Sequence, residues 1–123
     1  MSTPAIGAAL AYTQQLLGGP VFEQDSSVTT SANIQQLVPG NGDRVALVII
    51  NTGSNDAMIW LDSTISSTVG IRIAASGGSV TMEVTEDFTL PSRQWFCLQI
   101  NGATPLAVIE LVRSVLNSQQ GRK

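Results

Sequence analysis

The stretch that decides the fold is RVALVIIN, residues Arg44–Asn51, which the turn TGSND separates from AMIWLD, residues Ala57–Asp62. In both segments apolar side chains occupy both alternating sets of positions, so a strand there would be apolar on both faces. Such runs predict central strands of a sheet. The turn between them contains Gly, Asn, Ser and Asp, the residues that favour tight reversals.

Short strands extend outward from this pair, separated by turn-forming residues. The pattern predicts eight: Val28–Thr30, Asn33–Val38, Arg44–Asn51, Ala57–Asp62, Gly70–Ala74, Ser79–Val84, Gln94–Ile100 and Leu106–Arg113. The connectors Ser76-Gly77-Gly78 and Asn101-Gly102 are typical of hairpins. Closely spaced short strands without intervening helical patterns favour a β-sandwich or small barrel. We therefore expect a mainly β chain with a single β-sandwich or jelly-roll-like body.

The first 19 residues differ from this body. Thr3-Pro4 suits an N-cap and first helical position, and Gly18-Gly19-Pro20 is a strong helix stop. We expect an N-terminal helical arm over residues 1–19, a β-sandwich body over residues 20–116 and a flexible polar tail over residues 117–123. The arm has little polar surface, so it needs cover over most of its circumference.

Two interpretations of the arm stay open. It closes one end of its own body, or it docks its apolar surface on another subunit. In the second case the interface residues would be Ile6, Leu10, Tyr12, Leu16 and Leu17.

The composition excludes several functional classes. The chain has no histidine and one cysteine, so an intrachain disulfide and any imidazole-dependent catalytic pair are absent. With 6 Lys+Arg, 9 Asp+Glu and no basic cluster, nucleic acids and anionic membranes are poor partners. No apolar run is long enough to cross a membrane, and no basic residue precedes Ala5–Leu17 as a secretory signal would require. We expect no cofactor and no metal.

The residues that could carry chemistry have simpler structural explanations. Cys97 lies in an apolar strand with no histidine to activate it, which favours a buried structural thiol. Paired carboxylates can serve glycoside hydrolysis or calcium binding. Without a matching motif, however, we expect four acids to be solvated turn residues. These are Asp56, Asp62, Glu86 and Asp87. The segment Ser76–Ser79 has no lysine, so it is not a phosphate-binding loop. We predict no enzyme.

Three aromatic residues could stack on sugars or bases: Trp60, Trp95 and Phe96. All three lie in apolar strands, which favours core packing. Trp95 follows Arg93-Gln94 at the start of a strand, which is the one place where half exposure of an aromatic stays open as an alternative. The Ser63–Thr68 loop is equally consistent with binding a partner and with solvation. A carbohydrate-binding or receptor-binding module that uses Trp95 and this loop therefore stays open.

The order of these segments resembles that of small virion proteins encoded in tailed-bacteriophage structural gene clusters. In that pattern a strand ending in an N-x-G turn (here Arg44–Gly53) precedes a short strand centred on Trp or Tyr (Trp60). A G-I-x-I strand (Gly70–Ile73), a Gly-Gly hairpin and a closing strand (Ala107–Glu110) follow. The resemblance covers residues 40–113 and does not include the N-terminal helix.

The resemblance implies a non-enzymatic β-sandwich subunit that assembles on the phage particle, most often as a head decoration or cement protein. A minor tail or head–tail joining (neck) role is also open. The implied partners are the major capsid protein and copies of the chain itself. A homotrimer is expected, because decoration proteins often sit as trimers at local symmetry axes. The protein would be made in the host cytoplasm and act on the capsid surface of the virion.

Overall fold

The computed structural model describes residues 20–114, which form two four-stranded antiparallel sheets. The strands are β1 (Val21–Thr29), β2 (Gln35–Val38), β3 (Arg44–Asn51), β4 (Ala57–Trp60), β5 (Ile71–Ile73), β6 (Ser79–Glu83), β7 (Trp95–Gln99) and β8 (Pro105–Arg113). A single helical turn, α1 (Val84–Asp87), and a 3-10 turn, η1 (Leu90–Ser92), lie between β6 and β7. Sheet A has the strand order β1-β8-β3-β6, and sheet B has the order β2-β7-β4-β5.

Eight strands in this order form a double-sheet jelly roll. The predicted mainly β, jelly-roll-like sandwich is therefore confirmed. Within residues 20–114, every connection between consecutive strands crosses to the other sheet except β4–β5. The hairpins predicted at Ser76–Gly78 and Asn101–Gly102 are therefore wrong, because both segments join strands of different sheets. Turn residues show where the chain reverses but not which sheet it joins next.

The core lies between the two sheets and is built by one alternating set of side chains from each strand. On β3, Leu47 and Ile49 are fully buried, and on β4 so are Ala57 and Ile59. Both strands are central in their sheets, as predicted. The other members of the core are Leu37, Val38, Ile73, Met82, Trp95, Cys97, Leu106 and Val108.

The strand that departs furthest from prediction is β1. It was expected at Val28–Thr30 but spans Val21–Thr29, paired with β8 along its whole length. Its sequence EQDSS, residues 23–27, has low β-propensity, so the pattern did not indicate a strand there. Pairing with the apolar β8 provides the missing stabilisation. Elsewhere the predicted strand ends differ by no more than two residues, and the predicted turn at Glu86-Asp87 belongs to α1.

Two predictions fall outside the described residues. These are the helical arm over residues 1–19, which contains Ile6, Leu10, Tyr12, Leu16 and Leu17, and the polar tail over residues 117–123. Both remain predictions.

Candidate interaction surfaces

The thiol of Cys97 lies in the core between the sheets and is fully buried. Desolvation by this burial raises its pKa to about 11, so the reactive thiolate is scarce at neutral pH. The expected burial of the Cys97 thiol is confirmed.

Two of the turn acids accept hydrogen bonds, Asp62 within its own loop and Asp56 from β5 and the residue two positions after it. Asp56 Oδ2 accepts a hydrogen bond from Arg72 Nε at 3.0 Å, and Asp56 Oδ1 accepts one from the Ala75 backbone N–H at 2.8 Å. The Arg72 bond, followed by the Ala75 bond, lowers the pKa of Asp56. Asp62 accepts bonds from the hydroxyl and the backbone N–H of Thr64, which lower its pKa in the same way.

The remaining acids complete this pattern. The Asp87 carboxylate accepts a bond from the Glu83 backbone N–H at 2.9 Å, and Glu86 lies beside Asp87 in the exposed turn α1. Over residues 20–114, no three acidic, cysteine or histidine side chains gather where they could hold a metal ion. Asp56, Asp62 and Asp87 thus accept hydrogen bonds that stabilise the connections between strands.

Two of the three aromatic residues are arranged differently from the prediction. Trp95 is 1% exposed, and its indole N–H donates to the Leu90 carbonyl at 3.0 Å. The predicted core packing of Trp95 is therefore confirmed and the half-exposed alternative is wrong, because Trp95 shares the inward face of β7 with Cys97. Trp60 and Phe96 have the opposite parity and are only half-buried. Their predicted core packing is also wrong, and both lie on the outer face of sheet B.

The outer face of sheet B carries an aromatic patch, which we define as Trp60, Phe96 and Leu98. Trp60 lies directly opposite Phe96, and Met58 lies opposite Leu98, on the neighbouring strands β4 and β7. Met58 is buried, and the last residue of the β4–β5 loop lies close to it. A Cβ added to Gly70 would lie 3.1 Å from Met58 Cε. The three patch residues remain half-buried beside the loop.

The outer face of sheet A carries an aliphatic stripe two strands wide. It consists of Ala46, Val48 and Ile50 on β3 and Ala107, Ile109 and Leu111 on β8. All six are half-buried, whereas the inward residues that alternate with them are nearly or fully buried, apart from the half-buried Glu110. In most antiparallel sandwiches the outward positions are polar. An unbroken apolar stripe at these positions is typical of a contact surface.

Polar residues border the aliphatic stripe on both sides. The outward residues of β1 are Glu23, Asp25, Ser27 and Thr29, and those of β6 are Ser79, Thr81 and Glu83. The neighbouring Asp25 carboxyl raises the pKa of Glu23, first because the protonated Glu23 can share a hydrogen bond with it and then because the two negative charges repel. The stripe is thus an apolar strip with an acidic margin.

A separate exposed aromatic, Phe88, follows α1. It is 78% exposed and has φ 57° and ψ −116°, and Thr89 follows with φ −88° and ψ −6°. These angles match a type II′ turn, whose first central position favours glycine. Phe88 is a single side chain on a connection, so it belongs to neither sheet face.

The first of two buried polar clusters lies at one end of the sandwich, around Arg44. The guanidinium is 2% exposed. Its Nε donates to Glu110 Oε1 at 2.6 Å, and Nη1 donates to the carbonyls of Pro91 and Arg93, each at 3.1 Å. Nη2 donates to the Pro39 carbonyl at 2.6 Å. One side chain thereby joins β8 to the β2–β3 connection and the segment before β7.

The second cluster lies around Asn51, where β3 ends. The Asn51 amide donates to the carbonyls of Asn55 at 2.7 Å and Ile73 at 3.1 Å. Its oxygen accepts from the Gly53 N–H at 3.1 Å and from the Thr104 hydroxyl at 2.8 Å. Asn51 and Thr104 are both fully buried. This uncharged cluster joins the connections that follow β3, β5 and β7.

Comparison with known proteins gives little beyond the fold. No protein-family model matches the chain, and no curated protein matches it. One solved structure aligns, described as "Bacillus endospore appendages form a novel family of disulfide-linked pili". The alignment covers 76% of this chain and 89% of that chain, at 14% sequence identity and a TM-score of 0.44. Within residues 20–114, no helix has the length and apolar character needed to cross a membrane.

Proposed function

We propose that the protein is a non-enzymatic structural component of a tailed-phage virion, a decoration or cement protein that binds the assembled head and reinforces contacts between major capsid subunits. The sequence resemblance over residues 40–113 is the reason for proposing that the protein belongs to a phage particle. The bonding of the turn acids and the burial of Cys97 favour a structural over a catalytic role.

The observation that carries the proposal is the aromatic patch on sheet B. Interface anchors are enriched in aromatic residues, and they sit where a flat apolar centre is bordered by polar groups. Gln36 lies directly opposite Phe96, and Arg72 lies opposite Met58, so polar side chains border the patch along β2 and β5. We assign this patch to the contact with the major capsid protein.

Burial of apolar area would provide the stabilisation. Apolar surface contributes about 25 cal/mol per Å² before the entropic cost of association. Many weak sites repeated over a capsid lattice reinforce it without tight binding at any one site. The same reasoning applies to the second candidate, a neck component, whose copies would form one ring.

The carbohydrate-binding alternative now lacks its proposed stacking residue. Trp95 is buried and its indole N–H is bonded within the chain, so it cannot stack on a sugar. The Ser63–Thr68 loop alone gives no apolar platform.

Copy number in purified virions tests the proposal. Quantitative mass spectrometry of particles that carry this gene should find hundreds of copies per particle. About a dozen copies per particle would instead support the neck component and contradict the decoration role. Absence from the particle would contradict both.

A variant then tests the patch. Trp60→Gln with Leu98→Gln should weaken binding to heads stripped of the protein by at least about tenfold, since a few buried anchors carry most interface energy. Thr68→Gln, in the exposed β4–β5 loop, is the matched control and should bind normally. Because the chain has two tryptophans, emission from buried Trp95 reports folding once Trp60 is replaced. Unchanged binding by the folded double variant would contradict the assignment.

A further inference from the structure

We propose that the aliphatic stripe on the outer face of sheet A is the docking site for the apolar N-terminal segment, residues 5–17, of a neighbouring copy of the chain. This inference goes beyond head binding, because it concerns contacts between copies of the protein and does not depend on the capsid.

The stripe needs an occupant that is apolar and carries no negative charge. Its centre is formed by branched and small apolar side chains, with Val48 directly opposite Ile109. Its margin holds the carboxylates of Glu23 and Asp25 on β1 and of Glu83 on β6. A second copy of the same face would bring these carboxylates against their counterparts, which is unfavourable. Pairing of the sheet A faces of two copies is therefore less favourable than docking of an uncharged apolar segment.

Residues 1–19 have the complementary character. They contain no charged side chain, and residues 5–17 hold Ile6, Leu10, Leu16 and Leu17 among alanines. As the predicted helix, this segment would be about 20 Å long. The stripe runs for about 13 Å along β3 and β8, so one such helix aligned with these strands covers its whole length.

The chain leaves sheet A in a direction that favours a neighbour. The Pro20 carbonyl accepts a hydrogen bond from the Ser114 N–H at 2.7 Å, which extends the β1–β8 pairing beyond Val21 and Arg113. The described chain therefore begins at the end of sheet A where β3 also begins, in line with β1. Reaching the outer face of its own sheet would require a complete reversal at Gly18-Gly19.

A contact of this kind is heterologous, because the segment of one copy meets the sheet of the next. Heterologous contacts join copies head to tail and close into a ring when the rotation between copies allows it. The proposed contact would link copies of the protein independently of what lies beneath them.

Crosslinking between two separate chains tests the inference. One full-length chain carries Leu10→Cys and is labelled with ¹⁵N, and the other carries Ile109→Cys and is unlabelled. After mixing, a short bis-maleimide should give a mixed-isotope dimer joined at these two positions. The native Cys97 does not react with the maleimide, because it is buried and its pKa is raised. The control replaces Ile109→Cys by Thr68→Cys and should give less than a tenth of that product.

Sedimentation velocity on single variants gives a second measurement. Val48→Lys, in the centre of the stripe, and Leu10→Lys, in the segment, should each raise the dissociation constant for self-association about 100-fold, because each buries an unpaired charge. Leu10→Lys leaves the sandwich sequence untouched, so it keeps the test valid if Val48→Lys does not fold.

The inference is wrong if the mixed-isotope product is absent. It is also wrong if a chain with both cysteines crosslinks only within itself, since the segment would then cover its own sheet. Self-association that survives truncation of residues 1–19 would contradict it too. None of these outcomes bears on the virion copy number, so the decoration proposal is judged separately.

Discussion

The two ends of the sandwich are held by buried polar clusters of opposite character. At one end, the charged Arg44 binds one carboxylate and three backbone carbonyls. At the other, the neutral amide of Asn51 binds two carbonyls, one N–H and one hydroxyl. Both clusters collect connections that cross between the sheets. The difference lies in what remains when a member is lost: a buried charge at the first end and an unpaired neutral group at the second.

This comparison shows that connections which cross between the sheets need buried polar side chains at the ends of the sandwich to pair with their backbone groups. A hairpin carries its own ladder of hydrogen bonds, but a connection between sheets leaves backbone groups without a strand partner. Arg44 and Asn51 provide those partners from inside the sandwich.

The largest expected effect is at the charged end. Arg44→Met keeps an unbranched apolar stem but removes the guanidinium, which leaves Glu110 and the carbonyls of Pro39, Pro91 and Arg93 without their donor. Removal of one member of a buried ion pair costs about 3–5 kcal/mol, so we expect a loss of that size in the free energy of unfolding, measured by urea denaturation.

Arg113→Met is the matched control for this variant. Arg113 also forms an ion pair, with Asp43 at 3.0 Å, but its side chain is 42% exposed. Exposed pairs contribute about 0–1 kcal/mol. Equal losses in the free energy of unfolding for the two variants would contradict the stabilising role of the buried Arg44 cluster.

A smaller effect is expected at the neutral end. Thr104→Val preserves the shape of the side chain but removes the hydroxyl that donates to Asn51 Oδ1 at 2.8 Å. Loss of a hydrogen bond of this kind costs about 1 kcal/mol. Thr104→Ser retains the hydroxyl, so in the same denaturation experiment it should keep the hydrogen-bond contribution. The assignment fails if Thr104→Val is as stable as the wild type.

The smallest effect concerns pH at the exposed Asp56–Arg72 pair beside the neutral end. The pKa of Asp56 is lowered in the folded chain, first by its Arg72 hydrogen bond. Its contribution to stability is therefore present above the ordinary aspartate pKa of about 3.9 and is lost as the pH falls through the lower folded value.

Thermal unfolding between pH 2 and pH 7 checks this sign. Asp56→Asn should have a slightly lower Tm than the wild type at pH 7, and the two curves should converge in acid. A difference that grows towards pH 2 would contradict it. High salt should reduce the difference at pH 7, because exposed ion pairs are screened.

Sequence reasoning located most strands because alternation of side chains is a local property. The bounds of β3, Arg44–Asn51, were predicted without error. What it could not give was the destination of each connection, since Ser76–Gly78 has the composition of a hairpin turn whether or not the next strand joins the same sheet. That choice depends on the packing of residues distant in sequence.

The surfaces were harder to predict for a related reason. Apolar side chains at both parities of β3 and β4 indicated burial on both faces, yet their outward residues form the aliphatic stripe and part of the aromatic patch. Hydrophobicity alone does not separate a covered face from an interface. Trp95 and Trp60 differ only in the parity of their strands, which becomes known when the register is fixed.

Arg44 was not identified as a structural residue. It follows the turn PGNGD, so it resembles a solvated residue at the start of a strand. A usable signal was nevertheless present: Arg44 and Glu110 are opposite charges embedded in two otherwise apolar segments. Such a pair indicates that the two strands are neighbours and that the charges meet in the core.

Among residues 20–114, β1 pairs with β8 alone, and this pairing has a consequence for synthesis of the chain. The first strand of the body emerges from the ribosome long before its single partner, the last strand, has been translated. Until then both its edges lack hydrogen-bond partners, a state that invites pairing with other nascent chains. The sequence pattern did not indicate a strand here because of the polar run EQDSS. The same polar run keeps the unpaired segment well hydrated until β8 has been translated.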